Sequence, residues 1–243
     1  MAKIKPVARN MMYQTGTIRS LLQGVYDGDM TFAELAHYGD FGLGTFNAAD
    51  GEMVALDGCF YRIDAEGQAH AVPGEAKTPF AVVTHFKKGK GFDIQEAVDL
   101  ASLECLIAKH FESQNIIYAF RIDGLFSEIK LRSEHPQNSN RPLAETIGDL
   151  QTTFAYQDIR GTLVGAWFPE HLGSLNVPGF HFHFIDQDRR LGGHVFGLSM
   201  VQGHAQVNHL HDFGVHLIHN RIFERTDLAP AGDDEVKAVE EGD

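Results

Sequence analysis

Three histidines set close together, His181, His183 and His194, are the residues in this chain best suited to chemistry. In Gly179-Phe-His-Phe-His-Phe-Ile185 aromatic and imidazole side chains alternate strictly. A strand there puts His181 and His183 on one face and Phe180, Phe182 and Phe184 on the other. The polar segment Asp186-Gln-Asp-Arg-Arg-Leu-Gly-Gly193 then reverses the chain, so that His194 enters the returning strand able to face the pair. Three neutral imidazoles form the donor set of a catalytic zinc site with positions left for water or substrate, whereas structural zinc sites are closed by four ligands rich in Cys. Cysteine is absent from this region, so the expected cofactor is Zn2+, although three imidazoles also accept iron, nickel or cobalt. His209-Leu-His211 and His216 form a second alternating set. No turn brings a third ligand opposite that pair, and it reads as the solvated face of an edge strand.

The elements that must position these rings are mostly strands. Asp50-Gly51, Asp57-Gly58, Glu66-Gly67 and Asp123-Gly124 punctuate β-branched and aromatic runs at Phe41 to Phe46, Met53 to Leu56, Cys59 to Ile63, Phe80 to Phe86, Ile116 to Ile122 and Leu125 to Leu131, which predicts hairpins. After the polar stretch Ser133 to Pro142 a second series runs through Phe154 to Ile159, Thr162 to Trp167, Phe180 to Ile185, His194 to Leu198 and Ala205 to Leu217. Helices are expected at three places. Thr17 to Tyr26 has helical apolar spacing, and Thr31 with Glu34 forms a capping box for a helix to Tyr38. Asp93 starts the longest helix, with a stripe of Ile94, Ala97, Val98, Ala101, Cys105 and Ala108 ending near Phe111. The expected class is α+β: two intimately packed, mostly antiparallel or mixed sheet units, 11–133 and 150–223, with helices mainly on the first, and an acidic tail over 227–243.

At 243 residues and 43% hydrophobic, the chain can bury a substantial core. A net charge of −13 repels phosphate backbones and anionic membranes, which argues against nucleic-acid and membrane partners. An anionic small molecule would need local positive charge to enter. Cys59 and Cys105 lack C-x-x-C spacing and are expected as buried free thiols. Residues Met1 to Tyr13 have no apolar core of a secretory signal, so the expected location is the cytoplasm.

The segments Tyr13-Gln-Thr-Gly-Thr17, Val25-Tyr-Asp-Gly-Asp29, Gly39-Asp-Phe-Gly-Leu-Gly-Thr-Phe-Asn47, Asp50-Gly-Glu-Met-Val-Ala-Leu-Asp-Gly58 and Gly179-Phe-His-Phe-His-Phe184 together resemble the α-acetolactate decarboxylase family, in order, from about Met11 to about Phe223. The resemblance implies zinc on His181, His183 and His194. It also implies catalytic roles for Glu52 in Asp-Gly-Glu, for Arg132 in Ile129-Lys-Leu-Arg, and for a glutamate of the tail, Glu240, with Glu241 beside it. The implied reaction converts 2-acetolactate to (R)-acetoin and carbon dioxide through a metal-stabilised enediolate, in a homodimer. The rival readings are a cupin-like metal oxygenase, which also mounts His-x-His on a strand, and a non-catalytic metal-binding protein. No glutamate follows His183 at the cupin's short spacing.

Overall fold

Local rules form the first helices. Thr17 Oγ1 accepts the Ser20 N–H at 3.0 Å, and Thr31 Oγ1 accepts the Glu34 N–H at 3.2 Å while Glu34 Oε2 accepts the Thr31 N–H at 2.9 Å. Both are closed capping boxes. The computed structural model describes residues 10–88 and 91–229. Its strands in chain order are β1 (Met11–Thr15), β2 (Met30–Thr31), β3 (Phe41–Thr45), β4 (Glu52–Leu56), β5 (Cys59–Ile63), β6 (Ala69–Ala71), β7 (Lys77–Thr78), β8 (Ala81–Thr84), β9 (Gly91–Ile94), β10 (Val98–Asp99), β11 (Ile117–Glu134), β12 (Gln151–Phe168), β13 (Gly179–Asp186), β14 (Gly192–Leu210) and β15 (Asp212–His216). The helices are α1 (Ile18–Leu22), α2 (Phe32–Leu35), α3 (Leu100–Ala108), α4 (Ile147–Leu150) and α5 (Arg221–Arg225).

The class is α+β, as the sequence predicts. One sheet has the order β15-β1-β8-β3-β4-β5-β6, antiparallel except for the parallel β1–β15 pair. The second has the order β10-β14-β11-β12-β13, and β13 also pairs with β14, so β11 to β14 close into a circuit. The sheets face each other. Met12, Leu43, Val54, Ile63 and Val82 of the first pack on Ile117, Ala119, Val164, Ala166 and Ile185 of the second. Each Met, Leu, Val or Ile among them, fully buried, contributes about 1.5–3 kcal/mol. On the far side of the first sheet α2 buries Phe32 and Leu35 with Met53 and Phe60, and on the second sheet α3 buries Leu103 and Ile107 with Phe120, Phe182 and Phe184.

Several expectations change. Asp57 (φ 52°) and Gly58 (φ 80°) make the expected tight turn between β4 and β5, but Asp123-Gly124 makes none. Gly124 sits mid-strand in β11, level with Gly161 of β12 and Gly203 of β14, and Asp123 accepts a bond from Thr162 Oγ1 at 2.6 Å across the pair. The separate runs on either side of it are therefore one strand, and the same fusion makes β12 and most of β14 long. The strands β9 to β11 are bonded to β14 and β12. Asp99, not Asp93, caps α3, accepting the Ser102 N–H at 2.8 Å, and Asp93 lies in β9. The buried face of α3 is Leu103 and Ile107; Ala101 and Cys105 point outward. Cys59 and Cys105 are thus exposed rather than buried. The acidic tail expected over 227–243 lies almost wholly, with Glu240 and Glu241, outside the described residues.

Candidate metal centre

Strict alternation in β13 does what the sequence predicts. Phe182 and Phe184 sink into the core of the second sheet, and His181 and His183 face the first sheet. The hairpin into β14 is tied by Asp186 Oδ1, which accepts the N–H groups of Arg190 at 2.7 Å and Leu191 at 2.9 Å, with Arg189 at φ 59°. This turn sets His194 directly across from His183. On its other side β14 sets His194 across from Arg132 of β11. The facing strand β4 brings in Glu52, whose Oε2 is 3.2 Å from His183 Nε2.

All three imidazoles are buried, as are Glu52 and Arg132. The ring nitrogens converge: His181 Nε2 is 3.2 Å from His183 Nε2 and 3.1 Å from His194 Nδ1. Among the described residues this is the one group of three or more such side chains whose ligand atoms lie within 4.8 Å of one another. The rival set does not gather: His209 pairs with Glu112 at 3.2 Å and His216 with Asp29 at 3.0 Å. Burial, followed by the Arg132 charge, pushes His181 down to about 3; burial, together with the neighbouring rings and Arg132, holds His183 and His194 well below the ordinary histidine range. The rings are therefore neutral at physiological pH.

The tautomers follow from the partners. A carbonyl only accepts, so His183 Nδ1–H donates to the Met53 carbonyl at 2.8 Å, and its Nε2 carries a lone pair. That lone pair meets the Glu52 carboxylate at 3.2 Å and His181 Nε2 at 3.2 Å. Arg132 Nη2 lies 3.2 Å from His194 Nε2, and His194 Nδ1 lies 3.1 Å from His181 Nε2. His181 Nδ1 has no hydrogen-bond partner among the described residues. Acceptor atoms thus crowd one buried point where protonation is disfavoured. A cation there would be held by His181 Nε2, His183 Nε2 and His194 Nδ1, and the all-nitrogen set with a carboxylate beside it fits a divalent transition metal.

A cavity of about 60 Å³ adjoins this point. His181, His183, His194, Glu52 and Arg132 line one part of it, and Ile18, Leu21, Ala49, Phe80 and Leu143 form an apolar wall. Five of the six predicted site residues therefore meet, and the sixth, Glu240, lies outside the described residues. Sequence reasoning missed Glu134, which also lines the cavity; it lies two residues beyond Arg132 on β11, and the period of a strand was the available signal. It missed the apolar wall as well, whose members come from four separate stretches of chain.

The family model described as Alpha-acetolactate decarboxylase matches residues 12–230. The chain belongs to the α-acetolactate decarboxylase family. Membership makes it an enzyme of the carboxy-lyase class. A relative of that name from Brevibacillus brevis is 35% identical, over 97% of this chain and 82% of its own, and one from Methanosarcina mazei is 42% identical over 83% and 70%. The crystal structure of the α-acetolactate decarboxylase from Bacillus subtilis strain 168 superposes with a TM-score of 0.92 at 34% identity, covering 96% of this chain and all of that one. No helix among the described residues is long and apolar enough to cross a membrane.

Proposed function

We propose that this decarboxylase-family chain converts 2-acetolactate (2-hydroxy-2-methyl-3-oxobutanoate) to (R)-acetoin and carbon dioxide, using a divalent ion, zinc by preference, held by His181, His183 and His194. The observation that carries the reading is the buried convergence of imidazole and carboxylate lone pairs beside a small cavity with one cationic side chain. When bound, the ion supplies a Lewis acid for the ketone and hydroxyl oxygens, where negative charge develops as the carboxylate departs.

The chain's own residues do the rest. Arg132 offers a positive charge at the cavity wall and draws in an anion that a net charge of −13 would repel. Its role is to face the developing charge, because a bidentate clamp on the departing carboxylate would stabilise the ground state as much as the transition state. Glu52 accepts or orients the substrate hydroxyl proton, and Glu240, in the role that the resemblance implies, relays a proton to the carbon left by carbon dioxide. Delivery to one face gives one enantiomer. The apolar wall of Ile18, Leu21, Ala49, Phe80 and Leu143 takes the methyl groups and keeps water from that carbon.

A homodimer is part of the same reading. Residues 151–160 of β12 pair with β11 but lie beyond the span paired with β13, an exposed edge suited to a second copy. Metal analysis of the purified protein, joined to assays for carbon dioxide and for acetoin resolved by enantiomer, tests the function. Zinc-loaded protein that releases neither product from 2-acetolactate would refute it, and oxygen uptake by iron-loaded protein would favour an oxygenase instead.

A further inference from the structure

The segment Tyr13-Gln-Thr-Gly-Thr17 takes no part in the site described above, yet residues 14–17 are all buried. Gln14, in β1, is 0% exposed. Its Nε2 donates to the carbonyls of Gly16 at 2.8 Å and Leu175 at 2.7 Å, and its Oε1 accepts from Asn176 Nδ2 at 2.7 Å. Asn176, also buried, accepts the Val177 N–H on Oδ1 at 2.7 Å. Carbonyls only accept and a backbone N–H only donates, so these partners fix which end of each amide faces which way. The Ile18 N–H donates to the same Leu175 carbonyl at 2.9 Å. A buried set satisfied in this way is stiff, because breaking one bond strands the polar group of the partner.

The two amides join opposite sides of the cavity. From Gln14 the chain passes Gly16, at φ 67°, to the Thr17 cap and into α1, whose Ile18 and Leu21 belong to the apolar wall. Only glycine fits at 16, where a Cβ would stand 1.9 Å from the Pro79 carbonyl oxygen. Asn176 lies in the loop that leads into β13, the strand of His181 and His183, and Val177 beside it packs with Ile18, Leu21 and Phe80. The histidines are held by other bonds, the pairing of β13 with β12 and β14 and the Met53 carbonyl on His183. We propose that Gln14 and Asn176 are positioning residues, whose paired amides set the apolar wall of α1 at a fixed distance from His181, His183 and His194 and so hold a substrate close over the three ring nitrogens. A misplacement of about 1 Å at a reacting centre costs about a hundredfold in rate, so a clamp outside the cavity has leverage on turnover. The inference rests on the proposed reaction for the identity of the substrate.

The test compares Gln14→Met and the milder Asn176→Ala, which leaves the Gln14 bonds to Gly16 and Leu175 in place, with Thr84→Val. Thr84 is buried outside the cavity, and its Oγ1 donates to the Met11 carbonyl at 2.8 Å at the other end of β1, so Thr84→Val loses a hydrogen bond on the same strand without freeing α1. Each protein is read for stability in urea, zinc content, the visible spectrum of the cobalt-loaded form, kcat and KM for 2-acetolactate, and calorimetric affinity of the zinc-loaded form for the unreactive acid 2-hydroxy-2-methylbutanoate. Asn176→Ala and Gln14→Met should keep the metal and the cobalt spectrum while kcat falls about tenfold or more and the acid binds more weakly. Thr84→Val should differ from wild type in stability alone. Wild-type kcat and acid affinity in Asn176→Ala, or an equal fall in Thr84→Val, overturns the proposal. Loss of metal from Asn176→Ala also overturns it, because the amides would then support the histidine strand and not the wall. If wild type does not turn over 2-acetolactate, the reaction is wrong, and the acid affinities of the three variants still decide whether the amides place the wall.

Discussion

Lowering the pH of the metal-free protein from about 7.5 to about 5.5 should cost it about 1.4 kcal/mol of folding stability through His181 alone, with His183 and His194 adding losses of the same sign. The sign follows from burial. All three have folded values pushed below the ordinary 6.5, His181 to about 3, so the unfolded chain binds the extra protons. Stability is then full above 6.5 and falls as the pH drops through that value toward the folded ones. Across the window the His181 ring stays neutral when folded and goes from about a tenth to about nine-tenths protonated when unfolded, which is about 1.4 kcal/mol. Asp29 and Asp64, where burial is the largest single effect but is outweighed by the hydrogen bonds and charge of His216 and His70 together with backbone N–H groups, sit below their ordinary 3.8 and lose their contribution only at lower pH. The assay is urea unfolding of chelator-treated protein at the two pH values, for wild type and for His181→Phe, which keeps the ring shape without a titrating group. The difference between the two proteins cancels the exposed histidines. The variant should lose about 1.4 kcal/mol less than wild type over the window, and parallel losses would refute the argument that a buried neutral imidazole sits at 181.

His183→Ala should remove the metal and the activity together, read by metal content and carbon dioxide release. Arg132→Lys should retain zinc but lower kcat, since a flexible ammonium does not reproduce the planar donor set facing His194 Nε2; normal turnover would discard the role given to Arg132. Gly51→Ala should destabilise the fold by more than about 2 kcal/mol in urea unfolding, because φ is 80° and the new Cβ would lie 2.1 Å from a carbonyl oxygen of β5. Removing the metal from the loaded protein should lower its melting temperature, and readding zinc should restore it; a melting curve indifferent to zinc would place the ion elsewhere.

The histidine cluster was legible in the sequence because it is built from local geometry. Alternation along β13 and one short turn decide which way His181, His183 and His194 point, and both are governed by neighbours a few residues away. The capping box at Thr31 and the turn at Asp57-Gly58 were readable for the same reason. Glu52 and Arg132 were not legible from pattern and entered through the family resemblance. Their places depend on β4 lying across from β13 and on the register that sets Arg132 against His194 in β14.

Register and packing also decided where local signals misled. Asp123-Gly124 has the composition of a turn, yet β12 and β14 pair on both sides of it and hold it in a single strand. The stripe proposed for α3 has helical spacing, but the face that buries is the one β14 happens to meet. The sequence by itself determined how the three imidazoles face, because each is oriented by its own strand and turn. The tertiary structure alone decided what surrounds them, because Glu134, Ala49, Phe80 and Leu143 come together only when two sheets and a helix end close over one point.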